Sequence, residues 1–120
     1  MLRIRNSQMQ TFEQAAMAAF ELRMVEHLRV IYPKQTRDMP EANLLTLVQS
    51  GIGKAREYRV IAEDDIRRYL ELTVVYGADF DTNPHTSWAG EILRTKDLDG
   101  SAKIDRLDEY DLFMSIRNIT

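Results

Sequence analysis

The first 32 residues contain neither glycine nor proline, and from Ser7 to Tyr32 their apolar side chains recur at helical intervals. Met9, Phe12, Ala16 and Phe20 form one row, and Met17, Met24, Leu28 and Ile31 form a second beside it. This spacing predicts one long helix that stops where Pro33 cannot continue it. Ser7 with Gln10 three residues on reads as a capping box at its start. Two adjacent apolar rows make the apolar face wide, so the helix is either central to a bundle or shared with a partner.

The remaining breakers divide the rest of the chain in the same way. Asp38-Met39-Pro40-Glu41 combines a cap, an early proline and an acid, and opens a second helix carrying Leu44, Leu47, Val48, Ile52 and Ala55 to about Tyr58. Gly51 and Gly53 interrupt it, which fits either a close helix contact or a kink. Glu63-Asp64-Asp65 puts negative charge on the first turn of a third helix, where the peptide dipoles favour it. Its stripe is Ile66, Tyr69, Leu70, Thr73 and Val74, with Asp64 and Arg68 spaced for an ion pair and Gly77 placed as a stop. Pro84 opens a fourth helix through Trp88, Ala89, Ile92 and Leu93. Asp99 caps a fifth with Ile104, Leu107, Leu112 and Ile116. Met1 to Arg5 alternates like a strand without a partner. The expectation is an all-α, single-domain bundle over residues 1–120. It has about five helices, a short extended segment at 1–6 and a frayed end from about residue 117.

Composition narrows the function classes. The chain has no cysteine, which removes disulfides, thiolate catalysis and cysteine-held metals. Asn6, Ser7 and Gln8 stand where a signal peptide needs an apolar run, and no apolar run is long enough for a bilayer. These features point to a soluble cytoplasmic protein without a membrane role. The formal charge of −3 argues against general nucleic-acid binding. It is unevenly spread: residues 1–59 hold nine basic and six acidic residues (+3), residues 60–120 seven and thirteen (−6). Opposite charges either pack together, or the acidic half orients a partner.

No catalytic constellation emerges. Asp79-Phe80-Asp81-Thr82-Asn83 imitates the start of a calcium loop, but Pro84 stands where glycine is needed and Gly90 where a bidentate glutamate is needed. Gly51-Ile52-Gly53-Lys54 lacks the first glycine and the hydroxyl of a phosphate loop. His27 and His85 have no ligand-spaced companion, and arginines 56, 59, 67 and 68 are interleaved with acids. Neither a metal nor another cofactor is expected. Twelve of the sixteen basic residues are arginine and six residues are methionine, a balance suited to protein interfaces as well as to cores.

The order of motifs resembles a family of small helical proteins linked to bacterial type VI secretion. The residues that carry the likeness are Gln8-Met9, then Phe20-Glu21-x-Arg23-Met24-Val25-x-His27-Leu28 and Tyr32-Pro33-x-Gln35. They continue with Gly51-Ile52-x-x-Ala55-x-x-Tyr58 and the corner Tyr76-Gly77-x-Asp79-Phe80-Asp81-x-x-Pro84-x-x-x-Trp88-Ala89-x-x-Ile92-Leu93. The resemblance reaches to about Leu107. It implies a non-enzymatic co-chaperone that binds an adaptor chaperone, in a complex with a PAAR-tipped effector, and helps load that effector onto the secretion spike. The alternative is an immunity protein that binds and neutralises a toxin directly. Arg59 stands where the family usually has glycine, and Ala62 where a hydroxyl cap is expected. The expected partner-facing residues are Phe12, Met17 and Met24 on the first helix and Asp79, Phe80, Asp81 and Trp88 at the corner.

Overall fold

In the computed structural model the backbone is described for residues 2–119 and the side chains for residues 13–117. All regular structure among them is helical: α1 (Leu2–Ile31), α2 (Pro33–Thr36), α3 (Glu41–Glu57), α4 (Glu63–Tyr76), α5 (Ser87–Leu93) and α6 (Gly100–Ile119), with a 3₁₀ turn at Pro84–Thr86. The all-α expectation holds. No helix among the described residues is long and apolar enough to cross a membrane. The chain forms two compact units, residues 1–49 and 50–120, and α3 runs through the boundary.

The extended segment expected at 1–6 is a correction: α1 is already helical from Leu2. Once a helix is nucleated, each further residue costs only propagation, and Leu2, Arg3 and Arg5 are good helix formers. Ser7 therefore lies within the helix instead of opening it. At the other end, helical backbone continues to Ile119, beyond the position where fraying is expected.

In the first unit, α1 buries Phe20, Met24, Val25 and Leu28, and α3 contributes Leu44 and Val48. Among the described side chains of α1 the buried ones lie in its second half, where Arg23 also lies over the Phe20 ring at 5.5 Å. Pro33 does not simply end the helix. It occupies the first turn of α2, where its missing N–H costs nothing. Thr36 is fully buried, and its hydroxyl donates to the Tyr32 carbonyl at 2.8 Å. The Arg29 guanidinium donates to the carbonyls of Thr36 (2.8 Å) and Met39 (2.9 Å), closing the turn that leads to α3.

In the second unit the core is Ile52, Ala55, Val60, Ile66, Tyr69, Leu70, Leu72, Phe80, Ala89, Leu93, Ile104 and Leu107. Helix α6 packs on both α4 and α5. Gly77 stops α4 at φ 109°, with its N–H donating to Thr73. Asp99 caps α6 by accepting from the Ala102 N–H at 2.8 Å. The end of α3 shows why glycine suits position 59. The Val60 N–H donates to Ala55 and the Arg59 N–H to Arg56, the paired bonds of a Schellman cap. That cap requires a left-handed residue between them, and Arg59 takes it at φ 66°.

Candidate interaction surface

Three polar junctions hold the second unit together and decide which side chains remain outside. The first is the corner between α4 and α5. The Asp81 carboxylate is 4% exposed and accepts from the Tyr58 hydroxyl at 2.8 Å and from Lys54 Nζ at 3.3 Å. Lys54 also donates to the Ala78 carbonyl, and Arg94 donates to the Asp81 carbonyl at 3.1 Å. The Thr86 hydroxyl donates to the Phe80 carbonyl at 2.7 Å, while the Phe80 ring sits 5.0 Å from that of Tyr69. Asp79, by contrast, is exposed and accepts from the Asn83 side chain. The two corner carboxylates thus have separate partners. Burial and the bond to Asp81 push the Tyr58 hydroxyl above its ordinary pKa.

The second junction is Arg68. Its guanidinium donates to Asp65 (2.7 Å) on its own helix and to Asp108 (2.8 Å) and Asp105 (3.0 Å) on α6. Asp64, the expected i,i+4 partner, keeps an ion pair with Arg68 at 3.9 Å while its hydrogen bonds come from Arg67. Burial works against the charge of Arg68, but the three carboxylates outweigh it and raise its pKa. Asp108 is raised by burial, with Arg68 pulling the other way. Asp65 also accepts from the Ser101 hydroxyl at 2.5 Å. The third junction is Lys103, a buried amine that donates to the Tyr58 carbonyl at 3.0 Å, on the negative end of α3. Burial, then the charge of Arg59, lowers its pKa.

On the outside of this framework lies a run of aromatic rings. Tyr76 meets Trp88 edge-on at 5.4 Å, Trp88 stacks on Tyr110 at 4.6 Å, and Tyr110 touches Phe113 at 6.1 Å. The Tyr76 hydroxyl donates to Asp111, and burial together with that bond pushes its pKa up. On the same helix as Tyr110, Leu112 is 61% exposed, Phe113 57% and Ile116 56%. A contiguous apolar patch rimmed by charged residues is the usual form of a protein-binding surface.

The expected partner-facing residues are distributed unevenly. Trp88 is half-buried and belongs to the aromatic run, and Asp79 is exposed near it in sequence. Phe80 and Asp81 are buried and serve the corner itself, and Met24 is buried in the first unit. Burial withdraws these three from direct contact with a partner in this conformation. Met17 is half-buried on α1, and the Phe12 side chain lies outside the described residues. Of the apolar positions read on the last helix, Ile104 and Leu107 are buried, whereas Leu112 and Ile116 are exposed. From Leu107 the stripe continues at intervals of three and four to Asp111 and Met114, so positions five and nine away leave it. That mismatch is the signal that marks the patch in the sequence.

Compared with known proteins, the chain matches no family model, and no curated protein or solved structure resembles it significantly.

Proposed function

We propose that this chain is a non-enzymatic binding module, acting as a co-chaperone that engages an adaptor chaperone during loading of a type VI secretion effector. The observation that carries a binding role is the patch formed by Trp88, Tyr110, Leu112, Phe113 and Ile116. Aromatic and aliphatic side chains on rigid helices lose little conformational freedom on docking, so they make efficient anchors. The motif resemblance supplies the partner class, and with it a cytoplasmic location. Exposed Glu109, next to Tyr110 on α6, supplies a polar rim group.

Co-expression of the chain with the adaptor, followed by size-exclusion chromatography, tests this reading. Co-elution at micromolar concentration that is lost in Trp88→Ala and Leu112→Glu supports it. Separate elution of the two wild-type proteins overturns it. Protection of cells that express the effector toxin, without any adaptor present, would instead identify an immunity protein.

A further inference from the structure

We infer that α6 pairs with the α6 of a second copy of this chain, antiparallel and centred on Phe113. The buried and bonded side of α6 is set by Ile104, Leu107, Asp108 and Asp111, which face the core, Arg68 and Tyr76. At about 100° per residue, the opposite side carries Arg106, Glu109, Phe113, Ile116 and Arg117, with Tyr110 at its edge. All of these are exposed.

The charges on this side name the occupant. Glu109 and Arg117 lie four residues to either side of Phe113. An antiparallel pair with its twofold axis at Phe113 stacks that ring on its own copy. It also sets Tyr110 against Ile116 of the second copy, and Glu109 against Arg117 of the second copy, each contact occurring twice. A parallel pair would oppose Glu109 to Glu109 and Arg117 to Arg117, which is repulsive. Arg117 already has an interaction within its own chain, and its five donors leave room for a second carboxylate. The exposed apolar side chains on this face, Phe113 and Ile116 with Tyr110 at its edge, offer of order 200 Å² per copy. Even with the flanking charged stems this is below the area of a stable specific interface, so the pair is a weak one that forms reversibly with concentration.

The pairing covers Tyr110, Phe113 and Ile116 and so competes with the adaptor for that part of the patch, but it is read on the chain alone. Sedimentation equilibrium of the full chain between about 1 and 500 µM should show a monomer–dimer equilibrium, with Phe113→Glu monomeric throughout. Glu109→Arg and Arg117→Glu should each weaken the dimer about tenfold, because two attractive pairs become two repulsive ones. The double variant E109R/R117E restores the pairing and should recover the wild-type constant. Circular dichroism checks that each variant stays helical, as expected for exposed positions. A monomeric wild type over the whole range overturns the inference. So does a Phe113→Glu dimer, or a double variant no tighter than the single ones.

Discussion

Replacing Arg59 by glycine should stabilise this protein, although it deletes a long side chain and adds chain flexibility. Arg59 is the left-handed residue of the cap at the end of α3, at φ 66°. A residue with a Cβ loses about 1–2 kcal/mol in that conformation. Glycine removes the strain but costs about 0.4–1 kcal/mol through the extra freedom of the unfolded chain. The net gain is about 1 kcal/mol, or roughly 4 °C in Tm for a chain of this size. Arg59→Ala separates this cause from electrostatics. Both substitutions remove the positive charge that lowers the pKa of the buried Lys103 amine, but only glycine relieves the backbone. Urea unfolding should therefore give a higher midpoint for Arg59→Gly than for Arg59→Ala, with an unchanged slope. Equal midpoints would refute the argument, because the gain would then come from charge alone.

Four other outcomes follow from the same packing. A Cβ on Gly100 would stand 2.2 Å from the Arg59 carbonyl oxygen, against backbone that cannot swing aside, so Gly100→Ala should cost about 3 kcal/mol in urea unfolding. Gly53 has no atom within 4 Å of a Cβ, and Gly53→Ala should gain up to about 1 kcal/mol from helix propensity. Gly51→Ala should lose stability instead, because its Cβ would lie 2.5 Å from Leu70 Cδ2, and Leu70 is fully buried. Tyr69 is fully buried, its hydroxyl has no hydrogen-bond partner among the described residues, and burial followed by the charge of Asp81 raises its pKa. The stability this gives is intact below the ordinary tyrosine range. Above pH ~10 each such tyrosine lowers stability by up to about 1.4 kcal/mol per pH unit, so Tyr69→Phe should make the fall shallower by that share while the raised Tyr58 and Tyr76 keep theirs.

Helix ends were legible because their signals are local. Pro33, Gly77, Pro84 and Asp99 act within a turn of themselves, and the backbone changes direction at each of them. What closes the ends across space was not legible. Arg68 pairs with Asp64 on its own helix, as its spacing implies, but its hydrogen bonds go to Asp65 and to two carboxylates on α6 about forty residues away. Spacing on one helix cannot state which neighbour arrives from another. Lys103 reaching the end of α3 is the same kind of contact. The ambiguity of Gly51 and Gly53 also needed the neighbours: one lies against Leu70 and the other against open space. Of the surface, Trp88 was legible as a corner anchor. The α6 patch was hidden because Leu112 and Ile116 pass as core residues unless their phase against Leu107 is counted.

The acidic balance of residues 60–120 takes on a different meaning once the donors are placed. Asp105 and Asp108 face Arg68, Asp111 accepts from Tyr76, and Asp81 is enclosed by Tyr58 and Lys54. These four carboxylates are committed to holding helices together, and beside the aromatic run Glu109 is accompanied by Arg106 and Arg117. The patch therefore presents mixed charge around an apolar centre, with no single sign that could draw in a partner over distance. Association through it should depend weakly on ionic strength, since steering needs an uncompensated field while apolar docking does not. Raising salt from ~0.05 to ~0.5 M should change the on-rate for a bound partner by less than about threefold. A tenfold fall would show that the remaining acids outside these junctions, and not the α6 patch, govern the encounter.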